Sequence, residues 1–426
     1  MKPASECTVL VVDHGLFLPF AQRLQFQRVL YWSPWEQGFP LFNRCVIGDG
    51  YPKIERIDDV WDYRDEIDLA IFPDIQHHGM QQVLAEQGIP VWGSRSADRL
   101  EISREYFLRT LRELGMDTPR YKVVRGLTAL REYLADEEDR YIKLSKFRGS
   151  METWHWRNAK LDTGKLDALA VKFGPAREQI PFVVLNPIAA NFETGCDTYC
   201  IDGHLPKVRL VGQELKDHAY FGALRAVEDM PAEVETVNQA FAPILKQYGY
   251  RNFWSTEIRV NDQGVYFIDP TCRMPSPAGE SQVALYHNLT DLIWAGAQGE
   301  LLEPEITDTV AVQAVLTTKA EKGAWQVAEF PKSLRPHLYC GSSCCVDGLT
   351  CFPPDDQQGE EIGWLVATGD NPKAAVAKLV ELAGELPPGV HADLAAVAEL
   401  MQEVEAAQEA GVELTEDKLP EPNDIL

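Results

Sequence analysis

Phe253-Trp254-Ser255-Thr256-Glu257-Ile258-Arg259-Val260-Asn261-Asp262-Gln263-Gly264-Val265-Tyr266-Phe267-Ile268-Asp269-Pro270-Thr271 reads as two strands joined by a tight turn. Gly264 suits the left-handed position of a three-residue hairpin loop made of Asp262, Gln263 and Gly264. That loop sets Asn261 opposite Val265, Ile258 opposite Ile268 and Glu257 opposite Asp269, with Ile258, Val260, Tyr266 and Ile268 on the buried face. Directly opposed side chains have Cβ atoms about 4.5 to 5.5 Å apart, and two like charges there are destabilising unless a cation lies between them. A carboxylate pair on a rigid hairpin is a reasonable Mg²⁺ site, because Mg²⁺ keeps waters and takes phosphate oxygens and so needs few protein ligands. A merely solvated acidic face is the competing reading, and a two-residue loop would put the acids on opposite faces.

Immediately beyond, Pro270, Pro275 and Pro277 hold Thr271-Cys272-Arg273-Met274-Pro275-Ser276-Pro277 in an extended path. This leaves Arg273 four residues past Asp269, within reach of phosphate on the same metal. Upstream, Arg140-Tyr141-Ile142-Lys143-Leu144-Ser145 alternates so that Ile142 and Leu144 share one face and Lys143 projects from the other. The loop that follows, to Thr153, carries Lys146, Arg148 and Gly149 and suits phosphate oxygens, which want N–H donors and positive charge. Arg104 lies in a helix expected to run about four turns from an Asp98 N-cap with Glu101 at N3, through Phe107, Leu108 and Leu111, to Gly115; alone it would be an ordinary solvated arginine.

The hairpin and these cations together resemble the ATP-grasp superfamily. There a strand glutamate, an acid 12 positions later followed by x-Asn-x-Arg, a strand lysine and a flexible phosphate loop build an ATP and Mg²⁺ site. Here Glu257, Asp269-Pro270-Thr271-Cys272-Arg273 and Lys143 keep that spacing, with Thr271 in place of the asparagine. Within the superfamily the pattern is most similar to phosphoribosylamine-glycine ligase. Asp68 to Pro73, Gly88 to Ser94, Leu100 to Arg104, Ile142 to Leu144, Glu280-Ser281-Gln282 and Gly363 to Asp370 carry the likeness, over about residues 5 to 385. Arg104 stands where that family has a phosphate-contacting lysine. Val183 to Ile188 resembles the nucleotide hinge, with Asn186 in it and Glu193 the nearest candidate for a sugar contact. Lys207 and Arg209 share a face of a later strand, either reaching the phosphates or simply solvated.

The resemblance implies a multidomain α/β and α+β fold. Residues 1–95 would be a pre-ATP-grasp parallel α/β domain, and 96–305 a two-lobed ATP-grasp domain. Its nucleotide lobe with the phosphate loop would cover about 119–205, and its core lobe the metal hairpin 253–273. A small C-terminal α/β domain at 306–385 and an acidic helix and tail at 386–426 would follow. It also implies an ATP-dependent carboxylate-amine ligase working through an acylphosphate, on small carboxylate and amine substrates. ATP would lie against Arg104, Lys143, Lys146, Arg148, Gly149, Asn186, Glu193, Lys207 and Arg209; Mg²⁺ would take Glu257, Asp269 and Thr271; and Arg273, Lys143 and Arg104 would act on the transferring phosphate. The alternative is a nucleotide-binding or protein-interaction module of the same descent without ligase activity.

The remainder of the chain fits this frame. Thr8 to Val12, Leu69 to Phe72 and Ile89 to Trp92 read as strands with a helix at Met80 to Glu86, the alternation of a parallel sheet. Asp13-His14-Gly15 and Pro73-Asp74 follow strand ends, where open parallel sheets place ligands; His77, His78 and His155 lie near these edges without an assigned role. No GxGxxG follows Val12, which disfavours a dinucleotide. The 426 residues carry 40 Lys plus Arg against 65 Asp plus Glu, a net charge of −25, so neither duplex nucleic acid nor an anionic membrane is an expected partner. Twelve acids and one base fall between Glu381 and Leu426, in what reads as a surface helix and a frayed, solubilising tail. With no 18-residue apolar run, no signal-peptide pattern and nine cysteines in no recognised framework, the expected location is the cytoplasm, and a homo-oligomer is compatible with the sequence. Cys340, Cys344, Cys345 and Cys351 lack the paired spacing of a structural zinc site.

Overall fold

The computed structural model describes residues 2–33, 45–75, 77–145, 153–189, 192–318, 324–354, 361–409, 411–412 and 414–425. The chain forms two compact units: Met1–Ser96, Thr194–Thr256 and Thr271–Leu426 make the first, and Ala97–Glu193 with Glu257–Pro270 the second.

The first unit opens with a parallel sheet of β1 (Thr8–Val12), β2 (Arg28–Trp32), β3 (Ile54–Arg56), β4 (Leu69–Ile71) and β5 (Val91–Trp92), in the order β3-β2-β1-β4-β5. The apolar run Thr8–Val12 is buried on both faces: Val9 and Val11 enter one core cluster, Leu10 and Val12 another. A strand covered on both sides has no polar alternation, which is why this sequence reads as a continuous hydrophobic stretch. The helix expected at Met80 to Glu86 begins slightly earlier, at His78–Glu86. Past β1, the buried Asp13 carboxylate accepts the N–H groups of Gly15 at 2.9 Å and Phe17 at 3.0 Å and the Tyr31 hydroxyl at 2.6 Å, so it shapes the turn at the strand end.

The second unit holds a four-stranded antiparallel sheet of β6 (Tyr121–Arg125), β7 (Arg140–Leu144), β8 (Thr153–Trp156) and β9 (Pro181–Leu185), ordered β6-β9-β7-β8. Leu127, Leu130 and Leu134 of the helix Leu127–Leu134 pack with Ile142, Leu144, Phe182 and Val184. The single four-turn helix expected from Asp98 is instead two: Arg99–Ile102 and Arg104–Glu113. Asp98 makes no capping hydrogen bond with its side chain; Ser103, extended at φ −115°, caps the second helix by accepting from Tyr106 N at 3.4 Å. Serine competes with the helix for backbone donors, so it is a natural break and restart.

In the first unit a second, larger sheet includes β10 (Phe192–Ile201), β11 (Val208–Leu215), β12 (Ala219–Ala226), β15 (Val310–Thr318) and β20 (Glu361–Gly369), reached in chain order past the hairpin strands β13 (Arg251–Asn261) and β14 (Gly264–Thr271) and four short strands, β16 (Gln326–Ala328), β17 (Leu338–Tyr339), β18 (Cys344–Val346) and β19 (Leu349–Phe352). Pro372 opens the helix Pro372–Gly384 at its first turn, with Asn371 accepting from Ala374 N at 2.9 Å. The acidic helix Leu394–Glu409 packs Val397, Leu400, Met401 and Val404 inward, against β11 and β12. The tail beyond it is not frayed where it is described: Val412, Leu414 and Ile425 are each at most 2% exposed, and Glu416 lies 3.6 Å from Arg225. Charge count alone hid these three apolar anchors. All nine cysteines are free thiols, and no helix among the described residues is long and apolar enough to cross a membrane.

Candidate functional site

Lys143 stands at the middle of β7, where alternation sends Ile142 and Leu144 into the core and leaves its own ammonium on the other face. There Lys143 Nζ donates to Asp269 Oδ2 at 2.8 Å. Arg104 is the first residue of the helix that Ser103 caps, and its backbone N–H donates to Ser145 Oγ at 3.2 Å, which ties the helix start to the end of β7. Its guanidinium donates to Ile268 O at 2.9 Å and to Asp269 Oδ1. Phe107, one turn on, packs edge-to-face on Phe267 with ring centroids 5.1 Å apart, which presses this helix against the hairpin. Arg104 is 3% exposed and Lys143 8%, so Arg104 is not the solvated cation that its local sequence suggests.

The hairpin differs from expectation by one residue. Its turn is Asp262-Gln263, and Gly264 is the first residue of β14 without a left-handed φ. The Asn261 carboxamide replaces the glycine's conformational role by accepting from Gln263 N at 2.8 Å and Gly264 N at 3.2 Å. Gly264 leaves space for a neighbouring side chain: a Cβ there would lie 2.1 Å from Asp117 Oδ2, which would have to move. The shorter turn moves the second strand's alternation by one, so Phe267, at 1% exposure, and not Ile268 shares burial with Ile258. Asp269 lies on Phe267's side, facing Arg104. This two-residue turn is the case expected to put the acids on opposite faces: Glu257 is not directly opposed to Asp269, yet the two remain within electrostatic reach of each other.

Charge in this cluster is unequally distributed. Burial works to raise the Asp269 carboxyl, but Arg104 and Lys143 outweigh it and hold it well below the ordinary carboxylate range. Glu257 moves the other way: burial first, then the negative charges of Asp269 and Glu193, push its carboxyl well above the ordinary range, with Lys143 opposing. Glu193, expected at a sugar contact, thus neighbours Glu257, and its carboxylate accepts from Arg259 Nε at 2.7 Å. Arg259 escaped the sequence reading, although its place two residues after Glu257 puts both on one side of β13.

Arg104, Lys143, Glu193, Glu257 and Asp269 are therefore brought together in the second unit. Asn186 is exposed just past β9, with its N–H donating to Arg120 O at 2.9 Å. Lys146, Arg148 and Gly149 lie outside the described residues. Thr271, Arg273, Lys207 and Arg209 belong to the first unit. Arg273 Nε is 3.8 Å from Asp74 Oδ1 and its Nη1 donates to Met274 O at 3.0 Å. Lys207 is exposed, whereas Arg209 is 4% exposed, donates to Pro206 O at 2.9 Å and pairs with Glu235. Of the unassigned histidines, His14 and His77 meet Nε2 to Nε2 at 3.0 Å, and His155 pairs with Asp139 at 2.7 Å.

The donors in the second unit fit a hard divalent cation. No group of three or more His, Cys, Asp or Glu among the described residues forms a metal cage, but Mg²⁺ needs only one or two carboxylates beside water and phosphate oxygens. A carboxyl driven up by burial and by two acidic neighbours, as Glu257 is, is one that a cation would deprotonate readily.

No protein-family model matches the sequence, and no curated protein matches it. Solved structures do. Phosphoribosylamine–glycine ligase from Thermotoga maritima superposes with a TM-score of 0.68 at 17% identity, covering 90% of this chain and 98% of the other. Biotin carboxylase from Campylobacter jejuni gives 0.64 at 14% identity, over 96% and 98%. N5-carboxyaminoimidazole ribonucleotide synthetase from Thermotoga maritima gives 0.59 at 12%, over 90% and 99%. The chain thus shares the multidomain α/β architecture of these three enzymes.

Proposed function

We infer that the chain is an ATP-dependent ligase joining a small carboxylate to an amine through an acylphosphate, with ADP and phosphate released. The observation that carries this reading is the double hold of Lys143 and Arg104 on Asp269, beside Glu257. Two buried cations and two carboxylates in one cluster suit a triphosphate and its metal better than they suit stability, since buried ion pairs rarely gain over apolar packing. In the proposed reaction a substrate carboxylate oxygen attacks the γ-phosphorus and ADP departs. The amine nitrogen then attacks the acyl carbon, phosphate leaves, and the amine proton passes to solvent.

Lys143, held by the packing of β7, and Arg104, held at a capped helix start, are placed to compensate phosphate oxygens. Glu257 and Asp269 would hold Mg²⁺, which when bound neutralises charge on those oxygens. The proposal is tested by screening small carboxylates and amines for ADP release from the purified chain. Release that requires both co-substrates supports it. ATP binding without release under any pair supports the nucleotide-binding module instead.

A further inference from the structure

The first unit contains a polar group for which the reading above has no use. Asp197 lies near the middle of β10, half-buried, and accepts from the Tyr220 hydroxyl at 2.9 Å. Ser255 of β13 hydrogen-bonds the same carboxylate, so the side chains that bond it are neutral hydroxyls. Tyr286 lies within reach of the Asp197 charge and beside the Gln282 side chain. Gln282 is 0% exposed and Tyr286 2%, and apart from each other neither the Gln282 side-chain amide nor the Tyr286 hydroxyl has a hydrogen-bond partner among the described residues. Burying such groups unpaired costs about 1 to 3 kcal/mol each. Gly212 makes way for the Tyr220 ring: a Cβ there would lie 2.1 Å from the Tyr220 hydroxyl. Asp197, Ser255 and Gly212 are half-buried, so the group has a solvent-facing rim over a buried floor.

We propose that this group is the binding site for the primary ammonium of the amine co-substrate, with Asp197 as counter-ion and Gln282 Oε1 and Tyr286 Oη as further acceptors. The proposal rests on the ligase reading for the word co-substrate, but the recognition chemistry stands apart from it. An ammonium offers three N–H donors and a positive charge. Asp197, Gln282 and Tyr286 offer three acceptors. An anionic ligand would face Asp197 with nothing to offset the repulsion, and an apolar one would leave Gln282 without a further partner. Burial pushes the Asp197 carboxyl up to about 6 against the hydrogen bonds of Ser255 and Tyr220, as expected of an acid waiting for a cation.

The test uses the full chain without ATP. Methylammonium is titrated at constant ionic strength and followed by saturation-transfer NMR, with tetramethylammonium, equal in charge but without N–H donors, as the control. The expected result is saturable methylammonium binding that Asp197→Asn weakens at least about tenfold, with no saturable tetramethylammonium signal. In wild type, the ¹³C-carboxyl titration of Asp197 should shift to lower pH when methylammonium is present; this second measurement decides the matter if Asp197→Asn does not fold. Equal binding by wild type and variant, no binding at all, or an Asp197 titration unmoved by methylammonium would each overturn the assignment and leave a water-filled polar site. Binding without ADP release under any substrate pair keeps the ammonium site and removes the ligase reading. Release with an amine KM unchanged in Asp197→Asn does the reverse.

Discussion

Asp269 lies at the centre of the charged cluster in the second unit, because both of its oxygens face buried cations. Replacing it by Asn keeps volume and removes charge, and ATP turnover should fall at least about 100-fold while circular dichroism stays unchanged. Unchanged turnover at limiting Mg²⁺ would place the metal elsewhere. Lys143→Met should weaken ATP binding at least about tenfold by calorimetry, the worth of one charge-assisted phosphate contact of about 1.5 to 3 kcal/mol, whereas Arg104→Lys keeps a cation and should retain measurable turnover. A different residue contributes to the pH response of the fold. Glu280 is 4% exposed and burial pushes its carboxyl up to about 8. Between the unfolded value near 4.3 and about 8 the folded state binds the extra proton, so Glu280 makes stability fall as pH rises through that window. Glu280→Gln should flatten this slope, gaining at least about 1 kcal/mol at pH 8 relative to pH 5 in urea unfolding; a variant as pH-sensitive as wild type would show that another group governs it.

At the level of elements, much was legible where one local rule governs. The two-residue period exposed Lys143 because Ile142 and Leu144 have only one core to enter, and the apolar run Thr8–Val12 announced a strand, which the fold buries on both faces. The hairpin itself was legible but its turn was not, since Asn261 accepts the two N–H groups that a left-handed glycine would otherwise arrange. Ser103 was likewise read as helix interior when it is the cap that aims Arg104. Asn261→Ala should cost about 0.5 to 1.5 kcal/mol in thermal unfolding and lower turnover through the position of Asp269. No change in the unfolding midpoint would mean the turn holds without its side chain.

Across the whole molecule, the parts the sequence could not disclose are those set by distance along the chain. Arg104, Lys143 and Asp269 are separated by up to 165 residues, and only the resemblance to ATP-grasp enzymes suggested that they belong together. The second unit is assembled from two separate segments, a division no composition shift marks. The acidic C-terminus looked like a solubilising appendage because its charge was conspicuous and its three buried apolar residues were not. Removing residues 411–426 should therefore lower the unfolding midpoint by several degrees, as burying Val412, Leu414 and Ile425 contributes about 1.5 to 3 kcal/mol each at most; an unshifted midpoint would return the tail to the role of a solvated appendage.

The central claim is that the Arg104, Lys143, Glu257 and Asp269 cluster carries ATP-dependent ligation. The most direct measurement is steady-state ADP release by the purified chain across a matrix of small carboxylates and amines with Mg²⁺, run in parallel on wild type, Lys143→Met and Asp269→Asn. The account predicts release that depends on one carboxylate and one amine together and is nearly abolished in both variants; release that persists in the variants, or ATP binding by wild type with no release under any pair, would contradict it.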